Sequence, residues 1–337
     1  MPSLVNCAFH LWHAPILLAN FEAMAGKVVI FNDYQFNERG TSASTYNFAD
    51  YNEKILGNKS LILVPKGVDG FSVDRFQSRF KDVIRYKSKE ELYKIAKEAD
   101  CYYTQVSGLK ESDELDNMPC KTAVHCVFTA HDPHGSVYAA ISPWLARTYA
   151  LFDVPVVPLM VTLPESDQDL RAELGIPTDA VVFGRHGGYT EFNILPTMQV
   201  VAHAAKKRED LYFIFLNTVN FFNHPRIKFL PKTNDALRVT KFINTCDAMI
   251  HGRREGETFG LAVGEFSLKS KPIFSWFWSH DRHHIETLGQ YGNYYRTPKE
   301  LLNMFINFKK GTLGKDCYSA LYNPELVMAE FERVFLS

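Results

Sequence analysis

At 337 residues the chain is long enough for two domains of about 150 residues each and for a sizeable core. Lys plus Arg number 37 against 38 for Asp plus Glu, a balance that argues against a dedicated nucleic-acid binder, although a local basic groove would escape it. Six cysteines form no Cys-x-x-Cys pair and several fall in apolar runs, the pattern of buried thiols in a reducing, cytoplasmic compartment, and no run of about eighteen apolar residues is present to span a membrane.

Residues 1–26 are apolar and end in Ala23-Met-Ala-Gly26, but His10, His13, Glu22 and the lack of a basic start weigh against a signal peptide. The first strand is expected at Lys27–Phe31, followed by the loop Asn37–Ser42 and a helix from Ala43 to about Ile55 with apolar or aromatic positions at Tyr46, Phe48, Tyr51 and Ile55. Ser60–Val64 and Val83–Tyr86 read as strands, Ser88–Ala99 as a helix, Cys101–Val106, Thr122–Phe128 and Tyr138–Ser142 as strands, and Pro143–Tyr149 as a helix. A Pro-rich stretch at Val154–Pro158 and a short helix Asp167–Leu174 lead into a second series. It comprises the strand Ala180–Phe183, the helix Pro196–Arg208, the strand Leu211–Phe215, a helix around Asp235–Asn244, and the strand Ala248–His251. Strands alternating with helices predict an α/β chain built on doubly wound parallel sheets.

After Ala248–His251 comes Glu257-Thr-Phe-Gly-Leu-Ala-Val-Gly-Glu265, two carboxylates separated by seven residues. A helix opening near Phe259 aims free N–H groups and the positive end of its dipole at an anion, and Gly260 lets that anion approach. This stretch resembles the Glu-seven-Glu motif of retaining GT-B glycosyltransferases, the large family 4 type, whose usual form is Glu-Gly-Phe-Gly-Leu. Thr258 stands where that form has Gly. The order around it is also similar: Thr245-Cys-Asp247-Ala-Met-Ile before it and Lys271-Pro272-Ile-Phe after it.

The resemblance implies the GT-B fold, with two Rossmann-like domains facing across a cleft. It divides the chain into an acceptor-side domain at 1–158, a donor domain at 159–322 and a final segment 323–337, Pro324–Phe335 forming a helix that crosses back. It further implies a metal-independent, cofactor-free transfer from a UDP- or GDP-sugar to a saccharide or other small acceptor, with retention. Donor contacts are then expected from Glu257, Thr258, Phe259, Gly260, Leu261 and Glu265, with Glu265 on ribose hydroxyls and Glu257 beside the sugar.

In Phe183-Gly-Arg-His-Gly-Gly188 the family keeps a donor-diphosphate loop, so Gly184, Arg185, Gly187 and Gly188 join the site, Arg185 as the phosphate clamp. The usual Lys about five residues on is missing, since Thr190 and Glu191 stand there, and Arg253 and Arg254 are candidate substitutes. Arg39-Gly40-Thr41 is either a second loop toward donor or acceptor or a plain capped turn. His125 falls where family members keep a histidine whose ring or backbone touches the transferred sugar; a histidine on an apolar strand is otherwise usually a satisfied core residue. The run His280-Asp281-Arg282-His283-His284 points its side chains to alternate faces and is not expected to converge on a metal.

Competing readings are a non-catalytic sugar-nucleotide-binding or scaffold protein of the same fold, and a DNA-base glucosyltransferase, against which the near-neutral charge counts. A nicotinamide dehydrogenase is disfavoured because no Gly-x-Gly-x-x-Gly follows Val28–Phe31. The oligomeric state has no signal in the sequence.

Overall fold

The structure, a computed structural model, describes residues 26–37, 40–68 and 70–337; the expectations for residues 1–25 and for Arg39 lie outside these. In the first half β1 (Val28–Asn32), β2 (Lys59–Pro65), β3 (Asp82–Tyr86), β4 (Cys101–Val106), β5 (Lys121–Cys126) and β6 (Val137–Ala140) make one sheet, ordered β3-β2-β1-β4-β5-β6. Every pairing in it is parallel.

The second half contributes β7 (Val181–His186), β8 (Leu211–Leu216), β9 (Ile227–Leu230), β10 (Ala248–His251), β11 (Gly256–Glu257), β12 (Ile273–Trp276), β13 (Asp281–Arg282) and β14 (Asn293–Tyr295). Six of these form the parallel sheet β14-β12-β10-β7-β8-β9, while β11 and β13 pair in a small separate ladder. Numbered within its own half, each six-stranded sheet runs 3-2-1-4-5-6, the Rossmann order, whose ligand crevice lies beyond the carboxyl ends of the strands.

Helices cover the sheets, so central strands such as Leu61–Val64 and Val181–Phe183 are apolar throughout and fully shielded. The expected strands are all present, with ends shifted by up to three residues. The helix expected from Ala43 starts at Gly40, and the one expected over Asp167–Leu174 is a single turn, Arg171–Leu174. Helices Gly70–Arg79 and Pro298–Asn307, and strands β9 and β14, were not marked by the sequence pattern.

Asp247, just before β10, receives the Val182 N–H at 2.8 Å, the Arg171 guanidinium at 2.9 Å and the Lys310 ammonium at 3.2 Å, which ties the incoming chain to the second sheet. The helix Pro324–Phe331 and its continuation Glu332–Leu336 lie on the first sheet. There Phe331 packs against Phe31, Phe48 and Tyr103 at ring-centroid distances of 6.2, 5.1 and 5.2 Å.

The two sheets present their carboxyl ends to one another. Ser142, which follows β6 and caps the helix Pro143–Tyr149, donates its hydroxyl to the Thr258 carbonyl beyond β11. Tyr149 and Trp144 donate to Asp281 at 2.7 and 3.3 Å, and Arg147 grips Glu286 with two contacts of 2.8 Å. Among the described residues no helix is long and apolar enough to cross a membrane.

Candidate donor site

The motif helix runs Leu261–Leu268, and its N-cap Gly260 sits in the left-handed region (φ 93°, ψ 58°), a conformation that disfavours any side chain. No side chain caps this helix, and its first intrahelical bond is from Gly264 N–H to the Gly260 carbonyl, so the N–H groups of the first turn stay aimed outward. Directly opposite, a Cβ added at Gly40 would lie 3.2 Å from Leu261 Cδ1. The start of the first half's long helix, Gly40–Lys54, therefore meets the start of the motif helix across the cleft, with Thr41 one residue inside it.

Glu257 ends β11 with its side chain 19% exposed. Its Oε1 lies 2.9 Å from His251 Nε2 and its Oε2 3.1 Å from Arg253 Nη1. Burial alone would raise this carboxyl, but Arg253 and then His251 outweigh it and hold the group at about 2. Because this value lies below the ordinary 4.5, the stability it contributes is complete above that pH and is lost as pH falls toward 2.

Glu265, one turn into the helix, places Oε2 2.8 Å from His186 Nε2, yet the angles are not those of a hydrogen bond, and both atoms are buried without another partner among the described residues. The Glu265 side chain as a whole is 20% exposed. Arg75, brought from the first half and stacked 3.9 Å over the Tyr46 ring, lies in the field of Glu265 and Asp235.

Arg185 projects from the end of β7 and is 4% exposed. Its Nη1 donates to the Gly188 carbonyl at 3.1 Å and to Thr218 Oγ1 at 2.7 Å. Burial pushes the guanidinium down to about 10, with Glu191 and Glu257 pulling it back, so it stays charged at neutral pH. Gly187 (φ 146°) passes so close beneath it that a Cβ there would sit 3.0 Å from Nη2. Gly188 leaves room for the Glu191 carboxylate, which its own Cβ would meet at 2.4 Å.

Five of the expected residues have surroundings that bear on the roles expected of them. His125 is fully buried, its Nδ1 2.8 Å from the Tyr103 hydroxyl and its Nε2 2.7 Å from the Val157 carbonyl, with Phe48 and Phe335 against the ring. Burial pushes its pKa down to about 3; it is a neutral core residue with both nitrogens engaged, not a sugar contact. Gly184 faces inward, where a Cβ would collide with Cys246 Sγ at 2.2 Å, so its role is packing.

The Phe259 ring is turned away from the cleft, stacked 5.2 Å from His283 and edge-on to Tyr322. Arg253 is no free phosphate cation, being shared between Glu257 and Glu191, the latter at 3.2 Å. Arg254 is exposed and held by its backbone to Asn193 and His280.

Behind Glu257 lie His251, Ser275 and His284, which no motif in the sequence groups together. His251 and Ser275 are register partners on β10 and β12, and cross-strand neighbours leave no spacing signal in one chain. His283 and His284, expected on opposite faces, are both buried; His283 meets Tyr322 and Thr287, while His284 meets Ser275.

No protein-family model matches the chain, and no curated protein sequence does. Solved structures do. HepE from Anabaena, in complex with UDP and glucose, superposes with a TM-score of 0.69 at 15% identity over 93% of this chain and 100% of that one. Sucrose-phosphate synthase from Thermosynechococcus elongatus gives 0.65 at 11%, covering 92% of this chain and 98% of that one. A protein described as a UDP-N-acetylglucosamine 2-epimerase from Listeria monocytogenes gives 0.58 at 11%, covering 92% and 96%. At such identities the likeness shows the architecture: the chain has the GT-B fold of two Rossmann-like domains.

Proposed function

We propose that the chain transfers a sugar from a UDP- or GDP-linked donor to a saccharide or other small acceptor, with retention, without a metal, and in the manner of the family 4 enzymes. The observation that carries this reading is Glu257, an ionised carboxylate beside the uncapped start of the helix Leu261–Leu268, facing the Gly40 helix start across the cleft. The diphosphate is placed against that helix start and Arg185, the ribose against Glu265 and the donor sugar against Glu257. Charge growing on the leaving diphosphate meets the helix dipole and Arg185, and the acceptor attacks from the leaving-group side. The unit boundaries are taken at 158/159 and 322/323. A cytoplasmic setting is supported by Cys101, Cys120, Cys126, Cys246 and Cys317, all free thiols.

One observation favours a second reading. Arg185 and Arg253 are offset by Glu191 and Glu257, so these four groups sum to no net charge where a diphosphate needs cations. That balance fits a protein of this fold that binds sugar nucleotides without turning them over. The test is thermal unfolding against a panel of UDP- and GDP-hexoses with EDTA present. At a ligand concentration 100 times Kd the folded state gains about 2.7 kcal/mol, a rise of a few degrees for a chain of this size. Stabilisation by none of them removes both readings, and stabilisation without release of UDP or GDP in the presence of acceptors selects the second.

Arg185→Ala is expected to weaken binding of UDP or GDP by roughly 30-fold or more, the loss of about 2 kcal/mol that follows removal of a charge-assisted contact. Calorimetric titration with the bare diphosphate measures it. Unchanged affinity would move the diphosphate away from this loop.

A further inference from the structure

Behind Glu257 the second sheet carries a chain of polar side chains running inward. Glu257 Oε1 is 2.9 Å from His251 Nε2, His251 Nδ1 is 3.2 Å from Ser275 Oγ, and Ser275 Oγ is 3.0 Å from His284 Nε2. His284 Nδ1 is buried with no partner among the described residues. His251 is 3% exposed and Ser275 and His284 are fully buried. The strand is pinned as well, since the Tyr295 hydroxyl donates to the His251 carbonyl at 3.0 Å.

The orphan at the inner end sets the direction of every bond. His284 is neutral, because burial pushes its pKa well below the ordinary value, so it carries one N–H. Placed on Nδ1, that proton would be a buried donor with no acceptor; placed on Nε2, it reaches Ser275, and the orphan is only a lone pair, the less costly kind. Ser275 then accepts from His284, and since His251 Nδ1 is the other group within hydrogen-bond reach of its hydroxyl among the described residues, its own proton goes there, to an unprotonated nitrogen. The ring nitrogen left to carry a proton is Nε2, and it points at Glu257, which as a carboxylate only accepts.

We infer that Ser275 and His284 fix His251 as the neutral Nε2–H tautomer and that His251 in this form positions the Glu257 carboxylate against the donor sugar; the inference rests on the reading of Glu257 as a donor-sugar contact. The order carboxylate, histidine, serine resembles a hydrolytic triad, but Ser275 is at the sealed end, where no substrate atom reaches it, and Glu257 is at the open end. The device is a support. His251 and Arg253 each take one carboxylate oxygen, and a side chain held at both oxygens keeps its rotamer. His251, Ser275 and His284 are positioning residues; among these groups only Glu257 is placed to touch the donor.

The tautomer is read without any ligand, from long-range proton–nitrogen correlation spectra of the protein labelled with 15N-histidine, assigned with His251→Gln. A protonated Nε2 with an unprotonated Nδ1 at neutral pH is expected. A doubly protonated ring, or the opposite tautomer, overturns the inference whatever the catalytic behaviour.

The kinetic arm uses the UDP- or GDP-hexose that gives the largest thermal stabilisation, with release of UDP or GDP as the signal. Ser275→Ala, a substitution that removes one buried oxygen, is expected to lower kcat about tenfold while KM for the donor and affinity for the bare diphosphate stay within about twofold. His251→Asn should cost about 100-fold in kcat, and His251→Gln, whose terminal amide nitrogen can take the place of Nε2, should restore about tenfold of that. If Glu257→Gln abolishes release while Ser275→Ala and His251→Asn turn over like the wild type, the positioning role falls and the reading of Glu257 stands. If Glu257→Gln itself retains full activity, the reading falls and the inference with it.

Discussion

Replacement of Glu257 by Gln is expected to lower single-turnover sugar transfer by on the order of 100- to 1,000-fold, the usual loss when an aligned charge acting on the transition state is removed. Affinity for bare UDP or GDP should stay within about threefold, because the proposed pose sets Glu257 against the sugar and not the nucleotide. Glu265→Gln is the internal comparison. In the proposed pose it takes a charged acceptor from the ribose hydroxyls and should weaken the bare diphosphate about tenfold. Titration of both variants with the diphosphate, followed by single-turnover transfer, separates the roles. Equal loss of diphosphate affinity in both would remove the assignment. Glu257→Gln should also cost folding stability on the order of 1–3 kcal/mol, since Arg253 and His251 lose the charge they face.

Phe331→Ala should be the most destabilising of the substitutions considered, by about 3–5 kcal/mol, as expected for truncating a fully packed aromatic. The ring is completely shielded and touches Phe31, Phe48 and Tyr103 of the first half as well as Phe335 on the next turn. Leu326→Ala on the same helix, at 52% exposure, should shift stability by less than about 0.5 kcal/mol. Urea unfolding followed by circular dichroism gives both values. A cost below about 1 kcal/mol for Phe331→Ala would mean that the helix is not docked on the first sheet in solution.

The parallel sheets were readable because their strands are short apolar runs between helices of clear period, and the motif was readable because a strand, a glycine and two glutamates occur in a single stretch. What failed has a common physical cause. A strand shielded on both faces gives no alternation to say which side chains look toward the cleft and which into the protein, so His125 read the same whether it touched a ligand or Tyr103. Gly184 and Phe259 show the same limit: inside a motif, a residue needed for close packing and one whose backbone meets a ligand look alike. Arg253 was read as a spare cation because its partner Glu191 is brought beside it only by folding. The support behind Glu257 depends on β10 lying next to β12 in one register, a fact of topology that no local pattern carries.

The docking of the final helix on the first sheet also has a temporal side. Cys101 on β4 meets the Phe335 carbonyl across 234 residues of chain. During synthesis at about 5–20 residues per second, roughly ten to fifty seconds separate the emergence of that strand from the emergence of the aromatic residues that cover it. The half that is made first is therefore the half that is completed last, and until then it holds the faces of Phe31, Phe48 and Tyr103 open to water and to other chains. Truncation before Phe331 should leave a first half that is bound by chaperones in the cell even where every strand of both sheets has been made.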